Sequence, residues 1–318
     1  MITKEAKNKE NFIYKRQYFN SARNAFQFLL ENIITSKDDV ILMPEYIGQS
    51  NREGSGVFDP IRNTAVHYEF YSLNKHLQVD IKDIKNKLKN DNVKAVLLIH
   101  YFGFPQKEIL NIKKICNDKN IILIEDCAHT MASSFSNQKL GTIGDFSFYS
   151  IHKILPSENG GILQINNPQI PLKEPQNNFI SNADFNILIN SDLNKISEKR
   201  LNNYLHYQKL YNKESFIYEP IYTKIDDGAI PLNYPILIKN VSRENLYFEL
   251  INRNIPTVAL YYQLISELRK SEHQQAFFTS KHILNLPVHQ DIELEDIELI
   301  LNELNKIEDE IKRGDLTL

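Results

Sequence analysis

The stretch from Ile121 to Leu163, IILIEDCAHTMASSFSNQKLGTIGDFSFYSIHKILPSENGGIL, constrains the fold of this chain more than any other. It opens with an apolar run, Ile121 to Ile124, that ends abruptly in Glu125 and Asp126. A short continuous apolar run fits a strand buried on both faces. A carboxylate at the C-terminal end of such a strand lies where open α/β sheets hold their ligands. A second strand-like run, Phe146 to Ile151, delivers His152 and Lys153, and Gly160-Gly161 then let the backbone turn sharply. Of the ten glycines, Gly103, Gly141, Gly144, Gly160 and Gly161 fall between residues 103 and 161, which concentrates tight turns and close backbone approach in one place.

One acid and one lysine, each at a strand end, meet the needs of a pyridoxal 5'-phosphate (PLP) site. That cofactor is an electron sink, held by a lysine Schiff base and tuned by a carboxylate on its ring nitrogen. A lysine there holds the aldehyde, yields it to a substrate amine and then carries the proton as a general base. In these terms Asp126 is the partner of the ring nitrogen and Lys153 the Schiff-base lysine. Plainer readings stand beside this one: Asp126 as the cap of a following helix, His129 as a polar residue on that helix, Lys153 as a solvated charge.

The rest of the composition excludes more than it selects. A net charge of −3 leaves no electrostatic footprint for nucleic acid. Apolar runs stay far short of a membrane span, no hydrophobic signal region follows Met1, and MITKEAKNKEN reads as a polar arm. Cys116 and Cys127, two cysteines without a framework, fit reduced thiols in the cytoplasm. The nine histidines show no HExxH or cysteine-rich ligand spacing, which argues against a structural metal.

Taken in order, Tyr18 to Asn32 reads as a helix capped by Ser21, with Ala25, Phe26, Leu29 and Leu30 on its apolar face. Its N-terminus, Ser21-Ala22, is a ready phosphate seat, and Arg23 could add charge there. Asp39 to Met43 reads as a strand followed by a turn carrying Tyr46, Thr64 to Phe70 as a strand, and Asp80 to Lys89 as a helix. Lys94 to Ile99 is a buried parallel-type strand ending in His100, and Gln106 to Asp118 an amphipathic helix. Strands alternating with helices predict a doubly wound, mostly parallel sheet, with Tyr46, His100, Asp126 and Lys153 facing one crevice. Residues 166–190 look irregular. Beyond them come a charged helix at Ser197 to Asn212, a strand at Pro235 to Ile238, helices at Ser242 to Asn252 and Leu294 to Ile311, and a break at Asn254 to Thr257. Two domains are expected, a large α/β part over 1–190 and a smaller α+β part over 191–318.

In their order, NSARNAF, MPEYI, LLIHYFG, ILIEDCAHT, GTIGDFSF, HKILPSENGG and the RNIPT…LNLPVH run resemble the DegT/DnrJ/StrS family of PLP-dependent aminotransferases. The resemblance runs from about Tyr18 to the C-terminus. It implies a fold-type-I transferase that moves an amino group, with glutamate as donor, to a keto-sugar linked to a nucleotide, as in surface-polysaccharide or amino-sugar biosynthesis. It also implies a homodimer. Carried over residue by residue, Asp126 meets the pyridine nitrogen and His129 the ring's phenolic oxygen. Ala22 and Arg23 offer backbone N–H groups to the phosphate, joined by a serine of the FSFYS strand, Ser147 or Ser150. Tyr46 covers one face of the ring, and Lys153 carries the cofactor.

The chain departs from the family pattern in three places. The family's serine stands five residues before the lysine, and five after Ser147 is His152, whereas counting back from Gly160-Gly161 selects Lys153. A strand alternates faces, so a regular strand cannot aim both side chains at the cofactor. The intact Lys-x-Leu-Pro-x-x-x-Gly-Gly spacing favours Lys153. With His152 in that position the chain would resemble the family's lysine-less sugar dehydratases. The segment before the phosphate helix is short, and the usual Asn-x-Arg element is missing from 166–190, where Asn178 or Asn182 could stand in. A degenerate, non-catalytic member of the family is the remaining alternative.

Overall fold

The structure, a computed structural model, describes residues 15–52 and 54–318; the MITKEAKNKEN arm lies outside them. Its strands and helices follow in the order β1 (Lys15–Phe19), α1 (Ala22–Ile33), β2 (Val40–Pro44), α2 (Phe58–Thr64), β3 (His67–Tyr71), α3 (Ile81–Lys87), β4 (Val93–Ile99), α4 (Ile109–Lys119) and β5 (Ile122–Asp126). A small hairpin, β6 (Ser134–Phe135) and β7 (Gln138–Lys139), precedes β8 (Phe146–Ser150) and β9 (Gly161–Ile165). Seven strands form one sheet in the order β1-β9-β8-β5-β4-β2-β3. Strands β3, β2, β4, β5 and β8 run parallel, and β9 is antiparallel to both β8 and β1. The strands of the middle are apolar on both faces because helices cover both, which is why VILMP, VKAVLLI and ILIED lack alternation.

From β2 the chain steps outward to β3 and then returns to β4, β5 and β8 on the other side, so the order reverses between β2 and β4. Ligands of open sheets collect beyond the carboxyl ends of the strands at such a point. Register fixes which residues share a face there. Asp126 pairs with Phe148, and Glu125 with Ser147. The Phe148 ring stacks on Phe26 of α1 at 4.8 Å, so α1 covers the face that carries Asp126, Phe148 and Ser150.

The chain continues through α5 (Asn182–Asn190), α6 (Leu193–Leu210), β10 (Tyr218–Pro220), β11 (Asn233–Ile238), α7 (Arg243–Asn252), α8 (Gln274–His282), β12 (Ile283–Pro287) and α9 (Leu294–Arg313). The last three strands make a second, antiparallel sheet in the order β10-β11-β12. Tyr234 of β11 packs against Tyr204 and Tyr207 of α6 at 4.9 and 4.8 Å. Helix α9 turns Ile297, Ile300, Leu301, Leu304 and Ile307 inward between a Glu293–Asp296 capping box and a left-handed Gly314.

Several expected elements shift. The expected strand at Thr64 to Phe70 is β3, beginning at His67, and the residues before it form α2, which ends on a left-handed Ala65. The segment 166–190 is irregular only at first, since Ser181 caps α5 through its hydroxyl. No helix follows Asp126: its Oδ1 accepts the Ala128 N–H at 2.9 Å, and the chain runs on through turns. Among the described residues no helix is long and apolar enough to cross a membrane.

Candidate active site

Strand β8 stops at Ser150, one residue earlier than the sequence suggests. The next residues make a single helical turn, in which Ile154 and Leu155 donate their N–H groups to the Ile151 carbonyl. That turn cancels the strand's alternation and settles which side chain goes where. His152 is exposed, its Nδ1 3.4 Å from the Ser150 hydroxyl. Lys153 is half-buried and brings its Nζ to 2.9 Å from His129 Nε2.

His129 is fixed from both sides. The Phe102 N–H donates to its Nδ1 at 3.1 Å, so the neutral ring carries its proton on Nε2 and donates it to Lys153 Nζ when the lysine is the free amine. Burial, reinforced by the Lys153 charge, pushes His129 well below the usual histidine range and keeps it neutral. Phe102 presents that N–H because its backbone is left-handed (φ 58°), and its ring lies nearly parallel to the imidazole at 5.9 Å. A bulky residue at positive φ is a local strain that its surroundings must hold.

Asp126 is buried at the end of β5. Burial raises its carboxyl above the ordinary aspartate value, while the Ala128 N–H, Lys153 and His100 act in the opposite direction. Among the described residues only Oδ1 is hydrogen-bonded. A buried carboxylate with one oxygen uncommitted and a lysine charge acting on it suits a protonated ring nitrogen. The neighbouring Glu125 does different work. Its Oε1 accepts the N–H groups of Ile143 and Gly144, and its Oε2 accepts that of Gly141 and faces His100 Nε2 at 3.1 Å. His100, Glu125 and Cys127 have metal-like proximity, yet N–H donors already fill both Glu125 oxygens. The acid is a peg for the 141–144 turn, and His100 belongs to that peg rather than to the crevice.

The expected phosphate seat would lie at the start of α1. Ser21 caps it, accepting the Asn24 N–H at 3.2 Å, and the N–H groups of Ala22 and Arg23 have no acceptor within the helix. The Arg23 guanidinium turns to Asp59 at 3.5 Å, so the contribution of Arg23 to the seat is its backbone. Gly160 donates its N–H to the Asn20 carbonyl at 2.8 Å. A Cβ on Gly161 would fall inside contact of the Ser21 carbonyl and the Ala22 nitrogen. These two glycines therefore press the helix start against the strand end, beside Ser150, which pairs with Gly161. Ser147 is a correction. It points to the opposite face, where its hydroxyl donates to the Gly141 carbonyl at 2.7 Å. Of the two serines, only Ser150 shares the α1 face, because two residues restore a strand's face and three reverse it.

Tyr46 is fully buried, with Tyr101 donating its hydroxyl to the Tyr46 carbonyl at 2.6 Å. Its ring stacks on that of Tyr261 at 5.1 Å. Tyr261 is the participant that sequence reasoning misses. Its ring centroid lies 5.8 Å from Phe102 and 6.2 Å from His129, and Asp126 pushes its phenol up further after burial has raised it. It too is left-handed (φ 60°). The break at Asn254 to Thr257 marks the segment, but nothing local marks the tyrosine, which reaches the site from the far part of the chain. Its segment is fastened across the Pro44–Ser50 loop: Leu264 bridges Gly48, Gln49 donates its N–H to the Gln263 carbonyl, and Ile265 donates its own to the Ile47 carbonyl.

The DegT/DnrJ/EryC1/StrS aminotransferase family model matches residues 19–175. GDP-perosamine synthase of Vibrio cholerae is 35% identical over 92 residues, 28% of the chain and 24% of that enzyme, so the chain spans about a quarter of this relative's length. UDP-4-amino-4,6-dideoxy-N-acetyl-beta-L-altrosamine transaminase of Helicobacter pylori is 22% identical over 91% of the chain and 84% of its own length. The Streptococcus pneumoniae protein Spr1654 in its PLP form superposes with a TM-score of 0.79 at 14% identity, covering 93% of the chain and 88% of that protein, which establishes the fold-type-I architecture. Residues 19–175, which hold the α1 start, the buried acid and the lysine turn, belong to the DegT/DnrJ/EryC1/StrS aminotransferase family.

Proposed function

We propose that the protein is a PLP-dependent aminotransferase that moves an amino group from glutamate to a keto-sugar linked to a nucleotide. One observation carries this reading: Lys153 Nζ meets His129 Nε2 at 2.9 Å beside the buried Asp126, with the α1 N-terminus docked on Gly160-Gly161 at the adjacent strand end. The names of the relatives, sugar-nucleotide transaminases and a GDP-sugar synthase, support the substrate class.

Bound here, PLP supplies an aldehyde that condenses with amines and a ring that accepts the electron pair left when the donor carbon loses its proton. Asp126 would hold the ring nitrogen in its protonated form, and the Nε2–H of His129 would meet the ring's oxygen. Ala22, Arg23 and Ser150 would hold the phosphate, the first two through backbone N–H groups. Lys153 would hold the aldehyde carbon, release it to the donor amine, and as a free amine move the proton between donor and cofactor carbons. Tyr46 and Tyr261 would exclude water from one side. The exposure of His152 and the inward turn of Lys153 weigh against the dehydratase alternative.

The same reading makes residues 1–190 the cofactor-binding part and 191–318 the smaller part of a cytoplasmic homodimer. Two buried free cysteines support a reducing compartment.

The test is the visible spectrum of the purified protein with PLP, before and after borohydride, with peptide mapping of the reduced product. A yellow band and a covalent adduct on Lys153 are expected, with Lys153→Ala losing the adduct and His152→Ala keeping it. Cofactor bound without a trapped lysine would point to dehydration, and no binding would sink the enzyme reading.

A further inference from the structure

Helix α7 begins with an arginine, and that is an unfavourable place for one. Arg243 occupies the first position after the Ser242 cap, at the positive end of the helix dipole, where a cation is disfavoured. It is only partly exposed, and its Nε is buried without a hydrogen-bond partner. Among the described residues no carboxylate forms an ion pair with it. The buried Nε bears desolvation and dipole repulsion with no hydrogen bond to offset them. Local rules broken together in this way mark functional positions.

The neighbourhood says what the charge is for. The guanidinium carbon lies 5.7 Å over the ring of Tyr262, a cation–π contact that holds it in place. Tyr262 follows Tyr261, whose ring lies beside His129 and against Tyr46. The Tyr46 hydroxyl is itself buried with no partner. Burial, then Tyr261 and Tyr222, push that phenol up, and the Arg243 charge is the one influence that pulls it down. The guanidinium therefore lies near the aromatic stack of Tyr46, Tyr261 and Tyr262.

We propose that Arg243 is the anion-binding residue on the substrate side of this site. It would pair with a carboxylate of the amino donor or with the diphosphate of a nucleotide-linked acceptor. The inference rests on the aminotransferase reading and deepens it. Arginine suits either anion, because its planar fork can donate two parallel hydrogen bonds.

The experiment uses the PLP-loaded full chain and two probes that cannot turn over, glutarate for the donor carboxylates and UDP for the acceptor diphosphate. Arg243→Gln should weaken one of them at least about tenfold in titration calorimetry, the size expected for a lost charge-assisted pair. Arg243→Lys should recover part of the loss. The PLP band and the Lys153 adduct should persist in both variants, which shows that the fold and the cofactor site are kept. Loss confined to glutarate assigns the donor, and loss confined to UDP assigns the acceptor. Equal binding of both probes to wild type and Arg243→Gln, or no binding of either to wild type, overturns the proposal while the yellow Lys153 adduct still stands. Absence of that adduct would instead remove the aminotransferase reading beneath it.

Discussion

At the scale of single residues, the site is a set of groups kept in states that water would not favour. Asp126 is the clearest case. Burial raises its carboxyl above the unfolded value, so the associated stability is present below the unfolded pKa and is lost as pH rises through the folded one. At neutral pH the ionised group is a net cost to the cofactor-free fold. Asp126→Asn keeps an acceptor for the Ala128 N–H and removes the buried charge. The cofactor-free variant should melt a few degrees higher than wild type near pH 7.5, by a smaller margin near pH 4, and bind PLP more weakly. A variant that melts lower at pH 7.5 would contradict this. Asp126 and Lys153 were legible in the sequence because each stands at the end of a strand-like run, and His129 only through the family resemblance. The choice between His152 and Lys153 was not, since it depends on a helical turn made by Ile151, Ile154 and Leu155. The pattern Ile-His-Lys-Ile-Leu announces a turn no more than it announces a strand.

At the scale of elements, the junction between α1 and β9 deserves the most direct test. Gly161 has an ordinary φ, so it is glycine for space alone: the helix start lies where its Cβ would be. Gly161→Ala must push α1 off the sheet. It should cost about 1–3 kcal/mol in urea unfolding, as an overpacked contact does, and weaken PLP binding more than Ser21→Ala. The latter should cost about 1 kcal/mol through the lost cap bond to Asn24. Equal PLP affinity for wild type and Gly161→Ala would refute the seat. Helices α1, α3 and α7, each capped by a serine or aspartate side chain, were readable to within a few residues, although a cap alone was not enough, since Ser181 also caps α5. The misses have physical causes as well. Val57 gives α2 no side-chain cap, and α5 sits in an asparagine-rich stretch whose apolar residues show no helical period. The edge strand β1, KRQYF, carries its signal in β9, its only neighbour in the sheet.

At the scale of the whole molecule, the segment carrying Tyr261 joins the second half of the chain to the crevice of the first. Gly48 permits the approach, since a Cβ there would stand 2.7 Å from Tyr261 Cδ1. The Arg62 fork grips Glu267 at 2.7 and 2.8 Å, and His273 Nδ1 sits 2.9 Å from the buried Glu45. Because the Arg62–Glu267 pair is partly exposed, Arg62→Ala should leave global stability within about 1 kcal/mol. Hydrogen exchange at the Gln49 and Ile265 amides should nonetheless quicken, since those amides pin the segment. Unchanged exchange there would show that the aromatic stack holds the segment without the ion pair. The place of β9 in the sheet has one more consequence, for synthesis. Among the described strands β1 is made first and finds its sheet neighbour when β9 emerges, and the expected seat on Gly160-Gly161 appears together with it. A ribosome stalled after β5 would therefore display the acid without the helix seat or the lysine, so the nascent chain can acquire its cofactor only after its first strand has waited for its ninth.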